Sequence, residues 1–209
     1  MIESAAGIIL RTRPLTETSL IVLWLTPNFG RISTVAKGAR RPKSPFLGKL
    51  DLYYEADFTF SRSRRSELHT LREVSLRETH PALRREVTHL QQVAYCSTLI
   101  EQATETETPL LEVHRLFQEL LNQLPKLSPQ PQTIFAFELK LLDELGLSPD
   151  VEESHLMPGT KRIVAALVRD DWSTLARLKL SDAQVKELRQ YLHGFLIFHL
   201  GRIPKGRPV

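Results

Sequence analysis

Cysteine is nearly absent from this chain of 209 residues, which carries Cys96 alone. A single cysteine cannot form an internal disulfide, and it cannot supply a zinc site built from two or more thiolates. Cys96 lies in a helical pattern, which indicates a buried and unreactive thiol. The chain also lacks an apolar run of the ~20 residues that span a bilayer, and its first residues do not form a signal peptide. We therefore expect a cytoplasmic protein without structural zinc.

Sequence motifs of the common enzyme classes are absent as well. There is no P-loop, no glycine fingerprint of dinucleotide-binding proteins and no histidine pair of a helical metalloprotease. The seven histidines are scattered, and His193 and His199 point to different faces of a helix. The acidic pairs at 143–144 and 152–153 fall on the polar side of a helix and in a linker, where water solvates them. We therefore predict no catalytic residue, no metal site and no cofactor.

Charge is unevenly placed along the chain, although the formal net charge is only +4. Residues 1–80 hold 13 Lys and Arg against 8 Asp and Glu, residues 81–160 hold 5 against 12, and residues 161–209 hold 10 against 4. Two basic ends that flank an acidic middle indicate affinity for nucleic acid, concentrated at particular surfaces.

The strongest concentration of positive charge lies in residues 31–49, RISTVAKGARRPKSPFLGK, which include six basic residues and no acidic one. An alternating β-pattern stops at Gly38, and Pro42 and Pro45 limit the backbone that follows. A flexible basic tail would lack this flanking strand and these prolines, so we predict an ordered loop that contacts phosphates. The candidate contacts, including three arginines of a polar turn at 61–66, are Arg31, Lys37, Arg40, Arg41, Lys43, Lys49, Arg62, Arg64 and Arg65.

Five short segments have the apolar runs or the alternation of β-strands. They cover residues 5–10, 20–25, 31–37, 52–60 and 68–76. This strand count fits an OB-fold, a small barrel that commonly binds single strands, and it fits an SH3-like barrel equally well. Tyr54, Phe58 and Phe60 share one strand face, which we interpret as barrel core. Tyr53, on the opposite face, is the better candidate for base stacking.

The hydrophobic period changes to that of helices from Pro81 onward. The predicted apolar stripe of the first helix is Leu83, Val87, Leu90, Ala94 and Ser97, widened by Val93 and Ile100. After a polar linker at 104–108, further helices are predicted at 110–124, 134–145, 161–169, 171–179 and 181–200. The one at 134–145 is apolar nearly all round, as in the centre of a bundle, and Gly146 ends it. The predicted fold is α+β and multidomain, with a five-stranded barrel at 1–79 and a helical domain with a basic tail at 80–209.

Residues 7–44, GIILRTRPLTETSLIVLWLTPNFGRISTVAKGARRPKS, closely resemble the N-terminus of bacterial RecO, a family of recombination mediators. A second match, FELKLLDELGL at 137–147, falls where that family has its central helix, and FHLG at 198–201 is a weaker third. The resemblance favours the OB-fold over the SH3-like barrel. Many members carry four zinc-binding cysteines after the central helix, where this chain has SPDVEESH at 148–155, so the resemblance implies a variant without the zinc module.

The resemblance implies a binding protein rather than an enzyme. Members bind single- and double-stranded DNA, anneal complementary strands, cooperate with RecR and help load the recombinase onto strands coated by single-stranded-DNA-binding protein. RecF is a further candidate partner, and no membrane is expected. The resemblance thus implies a cytoplasmic protein that is associated with the nucleoid. The alternatives are an OB-fold RNA-binding or ribosome-associated module and a nuclease accessory subunit, which would need a carboxylate cluster that the sequence lacks.

The resemblance also implies that the helical domain holds the C-terminal tail of single-stranded-DNA-binding protein. Such a tail is acidic and ends in an apolar residue with a free carboxylate, so its receptor needs an apolar pocket rimmed by cations. The candidate residues are Arg84, Arg85, Arg115, Leu116, Phe117, Leu120 and Lys140. Later helices offer Arg162, Arg169 and Arg177 as further cations.

Overall fold

Five strands followed by six helices make up the computed structural model, which describes residues 1–209. The strands are β1 (Ile2–Pro14), β2 (Leu20–Thr26), β3 (Gly30–Ala36), β4 (Glu55–Ser61) and β5 (Leu68–Glu78). The helices are α1 (Val87–Ala103), α2 (Leu111–Gln123), α3 (Pro131–Glu144), α4 (Pro158–Arg169), α5 (Trp172–Leu175) and α6 (Asp182–Leu200). Two short 3-10 helices, Pro81–Arg85 and Leu124–Lys126, precede α1 and follow α2.

The five strands close into a barrel in the order β1, β2, β3, β5, β4, with β4 pairing back onto β1. All neighbouring pairs are antiparallel except β3 and β5, which run parallel where Ser33 to Val35 meet Leu68 to Thr70. This barrel followed by helices confirms the predicted OB-fold and the α+β class. The predicted strands at 20–25 and 31–37 agree with β2 and β3 to within one residue, whereas β1 and β5 are longer than predicted.

Aromatic side chains fill the barrel interior. Trp24 stacks on Phe58 with ring centroids 4.0 Å apart, and Phe60 lies 5.8 Å from Phe58. The indole Nε1 of Trp24 donates a hydrogen bond to Thr34 Oγ1 at 2.9 Å, so the polar atom of this buried ring is satisfied. Phe58 and Phe60 therefore belong to the core, as predicted, and Tyr54 packs against the same cluster.

The prediction that Tyr53 is available for base stacking was wrong. Tyr53 is only 5% exposed, and its ring meets the edge of Phe117 with centroids 6.4 Å apart. Its backbone adopts a φ of 66°, and its N–H donates to the carbonyl of Ile9 at 2.8 Å. Because β4 begins only at Glu55, the alternation that we extended back to residue 52 crosses a turn and does not set the direction of Tyr53.

The chain divides into two compact units, and the first contains Met1–Pro81 together with Thr104–Gln118. The second part of this unit lies on the barrel: the N–H of Glu107 donates to the Arg31 carbonyl at 3.0 Å, and the N–H of Leu110 donates to the Pro27 carbonyl at 3.0 Å. The predicted domain limits of 1–79 and 80–209 assign this segment to the helical part. In the structure it belongs with the barrel.

The second unit contains Ala82–Ala103 and Glu119–Val209 and is built around α3. Nearly every residue of α3 from Gln132 to Leu142 is buried, and α1, α4, α5 and α6 pack on it. This confirms the central position that its all-round apolar surface predicted. At its end, Gly146 has a φ of 69° and the N–H of Leu147 donates to the Leu142 carbonyl at 2.8 Å, as in a Schellman motif.

The predicted buried face of the first helix was partly wrong. Val87 is 70% exposed and Ala94 is exposed. The other predicted members of the stripe are buried or half-buried: Leu83, Leu90, Val93, Ser97 and Ile100. The reason is that α1 begins at Val87 after a 3-10 helix, whose tighter turn shifts the helical phase counted from Pro81. Cys96 is buried, as predicted, and its burial raises the pKa of the thiol well above its usual range, which disfavours the nucleophilic thiolate.

Of the last two helices, α5 differs in extent from the prediction and α6 agrees with it. α5 ends at Leu175 instead of continuing to residue 179. α6 agrees with its predicted range, and Ser181 caps it by accepting a hydrogen bond from the N–H of Gln184, while the side chain of Gln184 accepts from the N–H of Ser181. Gly201 ends α6 in the left-handed conformation with a φ of 72°.

Candidate nucleic-acid interface

The basic loop, residues 37–49, is a series of tight turns anchored in the barrel. The N–H of Arg41 donates to the Gly38 carbonyl at 3.0 Å, and the N–H of Ser44 donates to the Arg41 carbonyl at 3.1 Å. Ala39 and Phe46 are buried in the same hydrophobic cluster as the barrel strands. The backbone of this loop is therefore fixed from inside by two apolar side chains, as the proline-rich sequence predicted.

Four cations project from the basic loop into solvent: Lys37, Arg40, Arg41 and Lys43. Arg40 also donates to the Thr16 carbonyl at 3.2 Å, and its own N–H donates to the Thr18 carbonyl at 3.0 Å, which ties the basic loop to the turn between β1 and β2. Since none of the four makes an ion pair with a carboxylate, their charge is available to an external anion. We call these four residues the loop cations.

The other residues predicted for this interface have partners within the barrel unit. The Arg31 guanidinium donates to the hydroxyl of Thr104 at 2.8 Å and to its carbonyl. Lys49 donates through Nζ to the Val74 carbonyl at 3.1 Å. These contacts hold Arg31 against residues 104–106 and Lys49 against β5, so we do not include either in the interface that we propose below.

Of the three arginines in the turn between β4 and β5, one is paired with carboxylates and two are not. The Arg62 guanidinium lies 2.5 Å from the carboxylate of Glu107 and 3.6 Å from that of Glu3, and the hydrogen bond that it donates to Glu107 raises its pKa. Arg64 and Arg65 are exposed and make no ion pair. A phosphate would have to compete with two carboxylates at Arg62, whereas it would meet no such competition at its two neighbours.

One exposed cation that the sequence analysis missed lies beside the basic loop. Arg13 of β1 pairs with Ile21 of β2, which in turn pairs with Val35 at the end of β3. Neighbouring strands lie about 4.8 Å apart, so Arg13 is two strands away from the point where β3 runs into the basic loop. The alternation of Arg11 and Arg13 at the end of a strand was the signal that would have identified it.

A groove of about 600 Å³ elsewhere on the barrel does not suit a phosphate. Its lining includes Asp57, Glu73 and Arg77, and Arg77 already pairs with Asp57 at 2.6 Å. With two carboxylates and one cation, this groove would repel a polyanion.

The residues predicted to bind a partner tail do not form an open pocket. Leu116, Phe117 and Leu120 are buried and serve as core, which corrects their prediction as the apolar lining of a pocket for the tail. Arg84 and Arg85 are exposed in the 3-10 helix before α1.

The two remaining cations predicted for the tail are also engaged. Arg115 lies 3.4 Å from Glu112 on the same helix face. Lys140 donates through Nζ to the carbonyls of Val168 and Asp170 at 2.6 and 2.9 Å. It thereby satisfies carbonyls at the C-terminal end of α4 that have no partner within the helix.

A recess in the helical unit combines an apolar lining with a cation, the two features that we expect of a receptor for the tail. It measures about 410 Å³ and is lined by apolar side chains of α3 and α4, including Leu139, Val164 and Val168. Arg169, exposed at the end of α4, lies at its lining together with Asp143. The recess is thus mainly apolar and has one cation beside it.

No three or more His, Cys, Asp and Glu side chains lie close enough together to hold a metal ion. None of the helices combines the length and apolar character needed to cross a bilayer.

These features define a protein with an OB-fold barrel that presents an ordered basic loop, joined to a helical unit. Residues 1–80 match the family model described as the N-terminal part of recombination protein O, and residues 86–157 match the model of its C-terminal part. The chain belongs to the RecO family.

Individual relatives support this assignment. The chain is 39% identical to a DNA repair protein RecO of Coxiella burnetii over 150 residues, which cover 69% of this chain and 62% of the relative. It is 33% identical to that of Alkaliphilus metalliredigens, covering 71% and 60%, and 34% identical to that of Rhodopirellula baltica, covering 68% and 53%. The matched region therefore spans between about half and two thirds of these relatives.

Proposed function

We propose that this protein is a mediator of DNA repair and homologous recombination that binds single- and double-stranded DNA through its basic loop. The observation that carries this function is the set of four loop cations, which are exposed, free of carboxylate partners and held on an ordered loop of an OB-fold. Lysine and arginine at such a surface displace the counterions condensed on a phosphate backbone, and this gives affinity without reading the base sequence.

Annealing of complementary strands follows from the same chemistry. Two strands repel each other through their phosphates, and a cationic surface that neutralises both lowers this repulsion without favouring any sequence. The protein then acts by binding rather than by turnover. By its family it works with RecR, with RecF as a further candidate, and helps load the recombinase onto strands coated by single-stranded-DNA-binding protein.

A strand-annealing assay tests this function. Two complementary DNA oligonucleotides with a fluorophore pair should anneal faster with the protein than without it, and high salt should remove the acceleration. Alanine at all four loop cations should remove it as well. A protein that binds RNA oligonucleotides but does not accelerate DNA annealing would contradict the mediator function and favour an RNA-binding module.

The C-terminal tail of single-stranded-DNA-binding protein is the proposed ligand of the recess between α3 and α4. Pro149, Val151 and Val168 are partly exposed in the lining and offer an apolar surface for the last side chain of the tail. Arg169 offers a cation for its free carboxylate. The recess thus supplies both features of the receptor that the sequence analysis described.

Titration of a labelled tail peptide tests this site. The peptide should bind the full chain, and binding should weaken with salt, with loss of the terminal apolar residue and with Arg169→Gln. Arg162→Gln is the matched control, because Arg162 is exposed on the same helix but does not line the recess. Equal losses from the two variants would leave net charge as the cause and would remove the recess as the site.

A further inference from the structure

A row of aromatic rings lies along the C-terminal half of α6. The centroids of Tyr191 and Phe195 are 6.2 Å apart, those of Phe195 and His199 are 4.4 Å apart, and Phe198 meets His199 edge-on at 5.0 Å. Phe198 is 83% exposed, more than any other phenylalanine of the chain. We call these four side chains the α6 aromatic row.

Phe198, the most exposed ring of the α6 aromatic row, takes little part in packing of the helical unit. α6 buries Leu188, Leu192 and Leu196 completely, and these residues supply its contact with the core. Exposing a ring as large as that of Phe198 forgoes the stabilisation that its burial would give. The exposed ring of Phe198 therefore indicates a contact with a ligand rather than a role in packing.

The charge is positive at the C-terminal end of the α6 aromatic row. Carboxylates lie near its other end, where Glu187 and Tyr191 line one recess, and where burial together with the charge of Asp150 raises the pKa of Tyr191. Residues 188–209 contain no Asp or Glu, and Arg202 and Lys205 lie exposed directly after the end of α6 without a carboxylate partner. Further along, Arg207 is fixed on the buried carboxylate of Glu138, so the short segment that carries the two exposed cations is tied down at both ends. Exposed rings beside fixed cations are the combination that binds a single strand, through its bases and its phosphates.

Open space beside Phe198 supports a flat ligand. Gly194 lies one helical turn before Phe198, and a Cβ placed at Gly194 would meet no atom within 4 Å. Glycine inside a helix costs about 1 kcal/mol relative to alanine, and no neighbouring atom here requires its small size. Its effect is to leave the surface next to the Phe198 ring uncovered.

We propose that the α6 aromatic row is a second contact surface for single-stranded nucleic acid, distinct from the basic loop. Bases stack on Phe198 and its neighbouring rings, while Arg202 and Lys205 contact the phosphates of the same strand. This role rests on the proposed function, since it assumes that the protein handles DNA strands. It adds a contact to bases, which the loop cations do not provide.

The test compares two labelled oligonucleotides of equal length, an ordinary single strand and one whose central nucleotides are abasic. Both carry the same phosphates, but only the first can stack. With the full chain, Phe198→Ala should weaken binding of the ordinary strand roughly fivefold or more and leave binding of the abasic strand unchanged. Phe198→Trp should keep the affinity, and the fluorescence of its exposed indole should be quenched when the strand binds.

Two further variants separate stacking from other causes. Ile197→Ala removes a neighbouring exposed aliphatic side chain, 42% exposed, and should leave the affinity for both strands unchanged. Gly194→Leu places bulk beside Phe198 in a residue of higher helix propensity, so it should weaken binding of the ordinary strand without loss of helical structure.

Three results would overturn this role. The first is equal weakening of binding by Phe198→Ala and Ile197→Ala, and the second is equal weakening of both strands by Phe198→Ala. The third is a change by Phe198→Ala in the molecular mass from light scattering alone, which would make α6 an interface between two copies. Failure of the proposed function is distinguishable from each of these. In that case, alanine at the four loop cations would leave binding to both strands unchanged.

Discussion

At the scale of single residues, the buried carboxylate of Glu138 depends most strongly on its hydrogen-bonding partners. It is completely inaccessible to water, and its two oxygens accept hydrogen bonds from the guanidinium of Arg207, at 2.7 Å from Nε, and from the hydroxyl of Tyr95 at 2.5 Å. Burial raises the pKa of Glu138, and the charge and hydrogen bonds of Arg207 oppose that rise. Arg207 also lies 5.5 Å above the ring of Phe135, so a residue near the C-terminus completes the core of the helical unit.

Replacing Arg207 should therefore destabilise the protein strongly. Arg207→Ala leaves a buried charge without its partner, and such losses cost about 3–5 kcal/mol of unfolding free energy. Urea unfolding followed by circular dichroism measures the loss. Arg202→Ala is the matched control, because Arg202 is exposed and makes no ion pair, and it should change the stability by about 0.5 kcal/mol or less.

The deficit of Arg207→Ala should also depend on pH. Without Arg207, the folded-state pKa of Glu138 rises further above the usual value of 4.5. A carboxyl group with a raised folded pKa contributes stability below its unfolded pKa and loses that contribution as the pH rises through the folded value. The deficit should thus be smallest near pH 4.5 and grow towards neutral pH. A deficit that is the same at every pH, or equal in Arg202→Ala, would contradict this account of the pair.

At the scale of elements, the sequence analysis correctly predicted those features that depend on residues close together in the chain. Alternation of apolar and polar residues predicted the strands, and an apolar circumference predicted the central position of α3. A serine before a helix predicted the cap of α6. The basic loop was predicted because its charge and prolines are contiguous in sequence. The burial of the Tyr53 side chain was not predicted, because a turn with a positive φ interrupts the alternation.

The sequence analysis did not predict contacts between residues that are far apart in sequence. Arg31 contacts Thr104 and Arg62 contacts Glu107, across 73 and 45 residues of sequence. Both acceptors lie in the segment that we predicted only as a polar linker, and nothing in its composition indicates that it packs on the barrel. The predicted interface therefore contained two arginines whose partners could be identified only in three dimensions.

The attachment of this segment to the barrel should be sensitive to Gly30. Gly30 has a φ of 63°, and a Cβ at this position would lie 1.7 Å from the Thr108 carbonyl oxygen. Gly30→Ala must therefore displace the backbone of residues 106–110, beyond the roughly 1–2 kcal/mol that alanine costs in a left-handed conformation. We expect a lower urea midpoint and faster proteolysis within 104–110.

Gly48→Ala provides the control for this prediction. Gly48 has a similar φ of 72° but no atom within 4 Å of the added Cβ, so this variant should show only the conformational cost. Equal losses in the two variants would mean that the contact with Thr108 contributes nothing to stability.

At the scale of the whole molecule, the net charge of +4 hides a strong separation of charge. Residues 81–160 carry more acidic than basic residues, whereas the barrel sequence and the last 49 residues carry the reverse. Exposed charges act over about 8 to 10 Å at physiological salt, so DNA responds to the local density of cations rather than to the total. The position of a cation should therefore matter more than its number.

Removal of the loop cations tests this directly. A variant with alanine at Lys37, Arg40, Arg41 and Lys43 should bind all DNA sequences more weakly and to the same extent. Its dependence of log K on log salt should become shallower by about 0.7 for each lost contact on single strands and about 0.9 on duplex. Fluorescence anisotropy at several salt concentrations measures both quantities.

A second quadruple variant removes the same charge from the helical unit. Arg162, Arg177, Lys179 and Lys186 are exposed and lie outside both surfaces proposed here to contact DNA, so alanine at these positions lowers the net charge equally. If position decides binding, this variant should keep nearly the full affinity and the full salt slope. Equal weakening by the two variants would mean that DNA responds only to total charge. In that case the order of the basic loop and its place on the barrel would have no part in binding.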